Sequence, residues 1–348
     1  MNTRDVLMAL LFAVLPTLAT AAAPPPPLPQ RLSETGLYEA DSVTRVRADV
    51  LAYMPQYGLW SDGAHKRRWI WLPPGSVIDA SRPDAWQFPA GTRLWKEFAL
   101  GVRIETRYIE RLPDGTWRYA SYRWNADGSD ATLVPEGGAA VAVAAAPGGR
   151  YAIPSRSDCT VCHEGTAVPV LGFSALQLSP DRDPLALHVG AARGEHTDLR
   201  SLAAQRRIVN LSPQLLAKPP RVAARSAVER AALGYLHANC GHCHNATGAL
   251  DGLELTLAQR AIDSDDSAAA TLRSLLGHAS RFVPHGGGAA QRVAADGGTA
   301  PGTLLLRLKS TDAATRMPPL GVRQVDAAGV ALIELWLTQA RQSLIHQP

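Results

Sequence analysis

Residues 226–244 read SAVERAALGYLHANCGHCH. Ser226 followed three positions later by Glu229 is the S-x-x-E pattern of a capping box at a helix start. Good helix formers follow, and Gly234 allows a close helix contact. The run ends on Cys240, Cys243 and His244. A near copy, CTVCH, occupies residues 159–163, and the chain's four cysteines all lie in these two pentapeptides.

Three chemistries use paired cysteines. Zinc sites usually place their two halves about 15–20 residues apart, whereas 77 residues separate Cys162 from Cys240. Zinc also has no need of a histidine directly after each pair. A thioredoxin-like redox pair opens a helix in a βαβ unit, and no such unit is visible. Covalent haem accounts for every fixed position, because C-x-x-C-H is the c-type attachment signature. The thiols, one helical turn apart, add to the two vinyl groups of one porphyrin edge, and the next imidazole faces the iron. The expectation is two covalently bound haem c groups, on Cys159, Cys162 and His163 and on Cys240, Cys243 and His244. The iron-facing ligands are then His163 and His244.

Met317 stands in RMPPLG, and residues 325–344 read VDAAGVALIELWLTQARQSL. A Met before two prolines predicts a rigid, extended segment suited to presenting a thioether. Asp326 is a plausible N-cap, and Leu332, Ile333, Trp336 and Leu337 make an apolar side at helical spacing. The order helix, C-x-x-C-H, long loop, Met-Pro-Pro, amphipathic helix resembles the class I cytochrome c fold over residues 222–345. That resemblance implies a crossing of the first and last helices, His244 as proximal and Met317 as distal ligand. His278 and His285 are the alternatives to Met317. The 72 residues between His244 and Met317 are many for that fold, and the Gly-rich stretch 277–302 reads as a surface loop.

The first motif lacks a long preceding helix. Ser155 and Asp158 predict a cap for a short helix carrying Cys159, Cys162 and His163. For its sixth ligand His65, His188, His196, His237 and Met54 stay open, as does an empty position. No catalytic residue is assigned.

Residues 47–150 have another texture. Seven of the eight tryptophans fall between Trp60 and Trp124. Stretches such as RRWIWLPPGSVI and VRIETRYIERL alternate polar with aromatic or β-branched residues, punctuated by Pro-Gly and Asp-Gly, as antiparallel hairpins do. The basic cluster His65, Lys66, Arg67 and Arg68 reads as a solvated strand entry, or as a place where Arg67 or Arg68 meets a haem propionate.

The N-terminus has a charged start at Arg4, a 13-residue apolar stretch Val6 to Leu18, and Ala21-Ala22-Ala23. This is the layout of a signal peptide. A spanning helix needs roughly 20 apolar residues, and Pro16 interrupts this one. Cleavage near Ala21-Ala22-Ala23 and a periplasmic location are expected, with membrane contact only if the segment is retained. The formal charge of +4 and the lack of a dense Lys/Arg run argue against nucleic acid.

The expected fold class is α+β and multidomain. Residues 1–23 form a signal peptide, 24–46 a Pro-rich linker, 47–150 an antiparallel β-sandwich-like module, 151–221 a first haem region and 222–348 a cytochrome c-like domain. The strand module, the two motifs and MPPLG together resemble a family of exported bacterial dihaem c-type cytochromes, from about residue 33 to 345. The resemblance implies two haems and a periplasmic setting without naming a substrate. Two functions follow: electron transfer between redox partner proteins, or a dihaem oxidoreductase with an open site at the first haem.

Overall fold

Alternating residues between 65 and 124 build long strands. The computed structural model describes residues 25–190, 196–283, 291–293 and 302–345, so the expected leader at 1–23 lies outside them. The strands are Leu51–Ala52 (β1), His65–Trp71 (β2), Ile78–Asp79 (β3), Arg93–Leu100 (β4), Val102–Arg111 (β5), Trp117–Trp124 (β6), Ala131–Leu133 (β7), Ala139–Ala142 (β8), Arg150–Ile153 (β9) and Ile208–Val209 (β10). The helices are Arg156–His163 (α1), Leu199–Ala204 (α2), Pro213–Ala217 (α3), Ala227–Asn239 (α4), Ser264–Leu275 (α5), Thr303–Lys309 (α6) and Ala327–Ile345 (α7).

Six strands form one antiparallel sheet in the order β1-β2-β4-β5-β6-β7. Gly101, at φ +73°, makes the tight turn from β4 to β5, a conformation costly for any residue with a Cβ. The mixed α+β character matches expectation, but the β-rich part is not a sandwich. The only other pairings among the described strands are the short β8–β9 and the parallel β3–β10.

Loops and helices supply the layers that a second sheet would have supplied. One face of the sheet buries Trp69, Trp95, Tyr108, Tyr122 and Trp124 under Leu32, Leu37 and Tyr38. Residues 24–46 are therefore more than a linker. Their short 3-10 helix Leu32–Thr35 accepts the Trp95 indole N–H on Thr35 Oγ1 at 2.9 Å, and Ser33 donates to Asp130 at 2.7 Å.

The opposite face carries Ile70 and Leu94 into a core with Trp86, Phe88 and Phe173, continuous with Leu233, Leu236, Ile333 and Trp336. That core runs from Tyr53 to Leu337, across the expected boundaries at 150/151 and 221/222. Strand region and helical region share one interior.

Helices α4 and α7 pack together. The Trp336 indole is buried and donates to Glu229 Oε2 at 3.1 Å. Ser226 caps α4 by accepting the Glu229 N–H at 3.1 Å. The Glu229 carboxylate does not close the box on Ser226; it takes the Arg225 N–H and guanidinium instead. Gly234 does not serve the helix crossing either. A Cβ there would lie 2.0 Å from the Tyr57 ring, whereas a Cβ at Gly329 of α7 would lie 2.4 Å from the Tyr235 hydroxyl. Asp326 caps α7, accepting the Gly329 N–H at 3.0 Å. Among the described residues no helix is long and apolar enough to cross a membrane.

Trp336→Ala removes a buried indole from this crossing and strips Glu229 of a donor. Chemical denaturation should show a loss of roughly 3–5 kcal/mol; a loss below about 1 kcal/mol would mean that the crossing does not depend on this side chain.

Candidate functional site

Both cysteine motifs open onto one cavity of about 540 Å³. Cys159, Cys162, His163, Cys240, Cys243, His244 and Met317 all line it. The folding of α1, the end of α4 and the loop after α6 thus gathers all seven residues selected by sequence into a single space.

The first motif rides on α1, which packs against β6. Its start is a capping box: Ser155 Oγ accepts the Asp158 N–H at 3.1 Å, and Asp158 Oδ2 accepts the Ser155 N–H at 2.9 Å. One turn of helix then separates Cys159 from Cys162, with His163 at the end. His163 Nδ1 lies 2.6 Å from the Pro169 carbonyl. A carbonyl only accepts, so Nδ1 carries the hydrogen and Nε2 keeps a free lone pair. Burial pushes this imidazole down to about 4, against the Pro169 hydrogen bond and with help from the charges of Lys96 and Arg107. It is neutral at neutral pH.

The second motif starts where α4 stops. Cys240 N–H still reaches Leu236 O at 2.9 Å, and His244 N–H then turns back to Cys240 O at 2.8 Å. Burial pushes the Cys240 thiol up to about 12. His244 Nδ1 is buried without a partner, and burial, then Arg307, His242 and Arg292, lower its pKa. Gly241 is required here, since a Cβ would lie 2.7 Å from the His237 carbonyl.

The two motifs touch. Asn245 Nδ2 donates to Gly165 O at 2.9 Å, Gly241 O at 3.1 Å and His242 O at 3.3 Å. Interaction with Cys243 lowers the Cys162 pKa, and the same interaction raises that of Cys243. All four cysteines are free thiols, half-buried. Among the described residues no group of three or more His, Cys, Asp or Glu is arranged to hold a bare metal ion.

Met317 is half-buried in the cavity wall, its N–H donating to Arg307 O at 3.0 Å. The Met317–Pro318 peptide is cis. The chain beyond is pinned by Asp62, whose carboxylate accepts the Arg323 and Gln324 N–H groups at 2.9 Å. His278 is exposed, outside the cavity wall; His285 lies outside the described residues.

Of the five sixth-ligand candidates for the first motif, only His237 lines the cavity. Its Nδ1 accepts the Gln259 N–H at 3.0 Å, so the proton sits on Nε2. His188 is bound to Asp326 at 2.6 Å and lies 4.8 Å from the Trp60 ring. His65, His196 and Met54 lie away from the cavity wall. Of the two arginines weighed for a propionate, Arg67 is engaged by Glu97 at 2.8 and 3.0 Å, whereas Arg68 lines the cavity.

Sequence reading missed Pro169, Asn245 and two further cations in the wall, Lys96 and Arg107. The strand alternation carried the signal for the cations, since residues two apart share a face. Compared with family models, curated proteins and solved structures, the chain matches none.

Lys66, on the same strand as Arg68, is half-buried and donates to Leu59 O at 2.6 Å. Burial, then Arg68 and Arg107, push its ammonium down from 10.5 to about 7, against Asp326 and Asp62. Between those values the unfolded chain binds the extra proton, so stability rises with pH. Lys96, also lowered by burial first, acts in the same direction. Lys66→Met should make that rise between pH 7 and 10.5 shallower in denaturation series; an unchanged slope would count against the assignment.

Proposed function

We propose that the chain is an exported dihaem c-type cytochrome that passes electrons between redox partner proteins. The observation that carries this reading is the convergence of both C-x-x-C-H motifs and Met317 on one cavity. The residues fit the group. Each motif presents two thiols at one helical turn and a neutral imidazole; one imidazole is oriented through Nδ1 and the other has a buried Nδ1 without a partner.

Cys159, Cys162 and His163 would hold one haem, and Cys240, Cys243 and His244 the other, with Met317 as a further ligand of the second. Bound there, each haem supplies a reversible one-electron change at its iron. The chain's own part is to hold the imidazoles neutral, to keep a soft thioether in place and to line the space with apolar residues such as Val170, Leu257 and Leu308. The α4–α7 contact and the motif directly after α4 support a class I cytochrome c-like arrangement for residues 222–345. A periplasmic setting rests on the N-terminal sequence alone.

A second reading is an oxidoreductase with an open first site acting on a small donor or acceptor. It is favoured by one observation: of the five candidates named for the first site, the one in the cavity wall, His237, already has Nδ1 engaged and its proton on Nε2. The spin-resonance spectrum of the oxidised protein separates the two, with two low-spin centres expected for a carrier and one high-spin centre for an open site.

Two measurements test the main proposal. The denatured mass of the exported protein should exceed the polypeptide by two haems that survive acid–acetone extraction; a mass showing none or one would refute it. Met317→Ala should make the reduced protein reactive toward carbon monoxide and lower one of two midpoint potentials, because a thioether ligand favours ferrous iron. An unchanged spectrum and potential would assign the sixth position to another residue.

A further inference from the structure

The register of the sheet sets Arg68 of β2 opposite Lys96 of β4, and Lys96 opposite Arg107 of β5. Directly opposite residues share a face, with Cβ atoms about 5 Å apart, and like charges so placed are destabilising. All three side chains line the cavity. The other face of the same strands shows the usual solution. There Arg67 stands opposite Glu97 and pairs with it, and Arg93 and Arg118 stand either side of Glu110, which pairs with both.

The cavity row has one carboxylate for three cations. Glu105 pairs with Arg107 at 2.7 Å and also accepts from Tyr151. Among the described residues, neither Arg68, 6% exposed, nor Lys96 has a carboxylate partner or a side-chain hydrogen bond. Lys96 Nζ rests 4.9 Å from the centre of the Phe98 ring. Burial and the neighbouring arginines hold Lys96 well below its ordinary value. An anion in the cavity would relieve all of this at once, and an arginine fork matches two oxygens of a carboxylate or phosphate.

We infer that Arg68, Lys96 and Arg107 form a carboxylate or oxyanion site in the wall of the cavity that His163 also lines. Two sources supply that chemistry. One is the propionate carboxylates of a haem held at His163, a case that rests on the reading above. The other is a small free oxyanion, which needs no haem and would give an open first site its substrate class.

The test uses the mature protein, Lys96→Met and Lys96→Arg, each unfolded thermally in chloride and in phosphate or acetate at matched ionic strength. For a free oxyanion, Lys96→Met raises Tm in chloride by removing an unpaired cation. Phosphate or acetate then stabilises the native protein saturably, and Lys96→Met weakens that binding about tenfold or more. For attached carboxylates, added anions do nothing, Lys96→Met lowers Tm and Lys96→Arg restores it. A higher Tm for Lys96→Met with no anion effect on the native protein would overturn the site. The denatured mass, read separately, tells a failure of this inference from a failure of the haem reading.

Discussion

A single side-chain amide, that of Asn245, holds the two cysteine motifs against each other. It is buried, and its two hydrogens are shared among the carbonyls of Gly165, Gly241 and His242. Its oxygen accepts from the backbone and hydroxyl of Thr247, so the amide is fully used, as a buried polar group should be. The approach is tight enough to exclude a Cβ on either side: one at Gly165 would lie 2.7 Å from the His242 carbonyl, and one at Gly248 would lie 2.7 Å from the Gly165 carbonyl. Because of this clamp both motifs reach one cavity.

What was legible in the sequence was what is local. Ser155 with Asp158, Ser226 and Asp326 act as caps because a cap joins residues three or four apart. The strands around Trp69, Trp95 and Tyr108 follow from alternation, and the burial of Trp336 follows from helical spacing. Composition misleads on domains. The change of texture near residue 150 is real, yet Tyr57 occupies the space beside Gly234 and Phe173 packs on Phe88. Contacts between segments so far apart leave no mark on local composition. The PPPPLPQ stretch likewise conceals that Leu32 and Leu37, a few residues on, are wholly buried. The Arg68–Lys96–Arg107 row illustrates the same limit. Alternation says which residues share a face, but only register says which stand opposite.

The two faces of the sheet divide the labour. The outer face is aromatic and closed by the N-terminal segment, with its arginines ion-paired across strands to Glu97 and Glu110. The inner face is graded: the row Ile70–Leu94–Ile109 is apolar, and the adjacent row is cationic. A flat apolar body with an anionic edge would find both its surfaces matched there.

The grip of Asp62 on the N–H groups of Arg323 and Gln324 spans 261 and 262 positions of chain. It lies a few residues beyond Met317, and Trp60 and His188 reach the same segment through Gln324 and Asp326. Closing so long a loop costs entropy that the contacts must offset. In a chain made from its N-terminus, Asp62 is in place 261 residues before Arg323, the first of the N–H groups it holds. The wall that carries Met317 is therefore tied to the strand region as well as to the helices that flank it. A change at Asp62, far from either cysteine pair in the sequence, would thus be felt at the thioether of Met317.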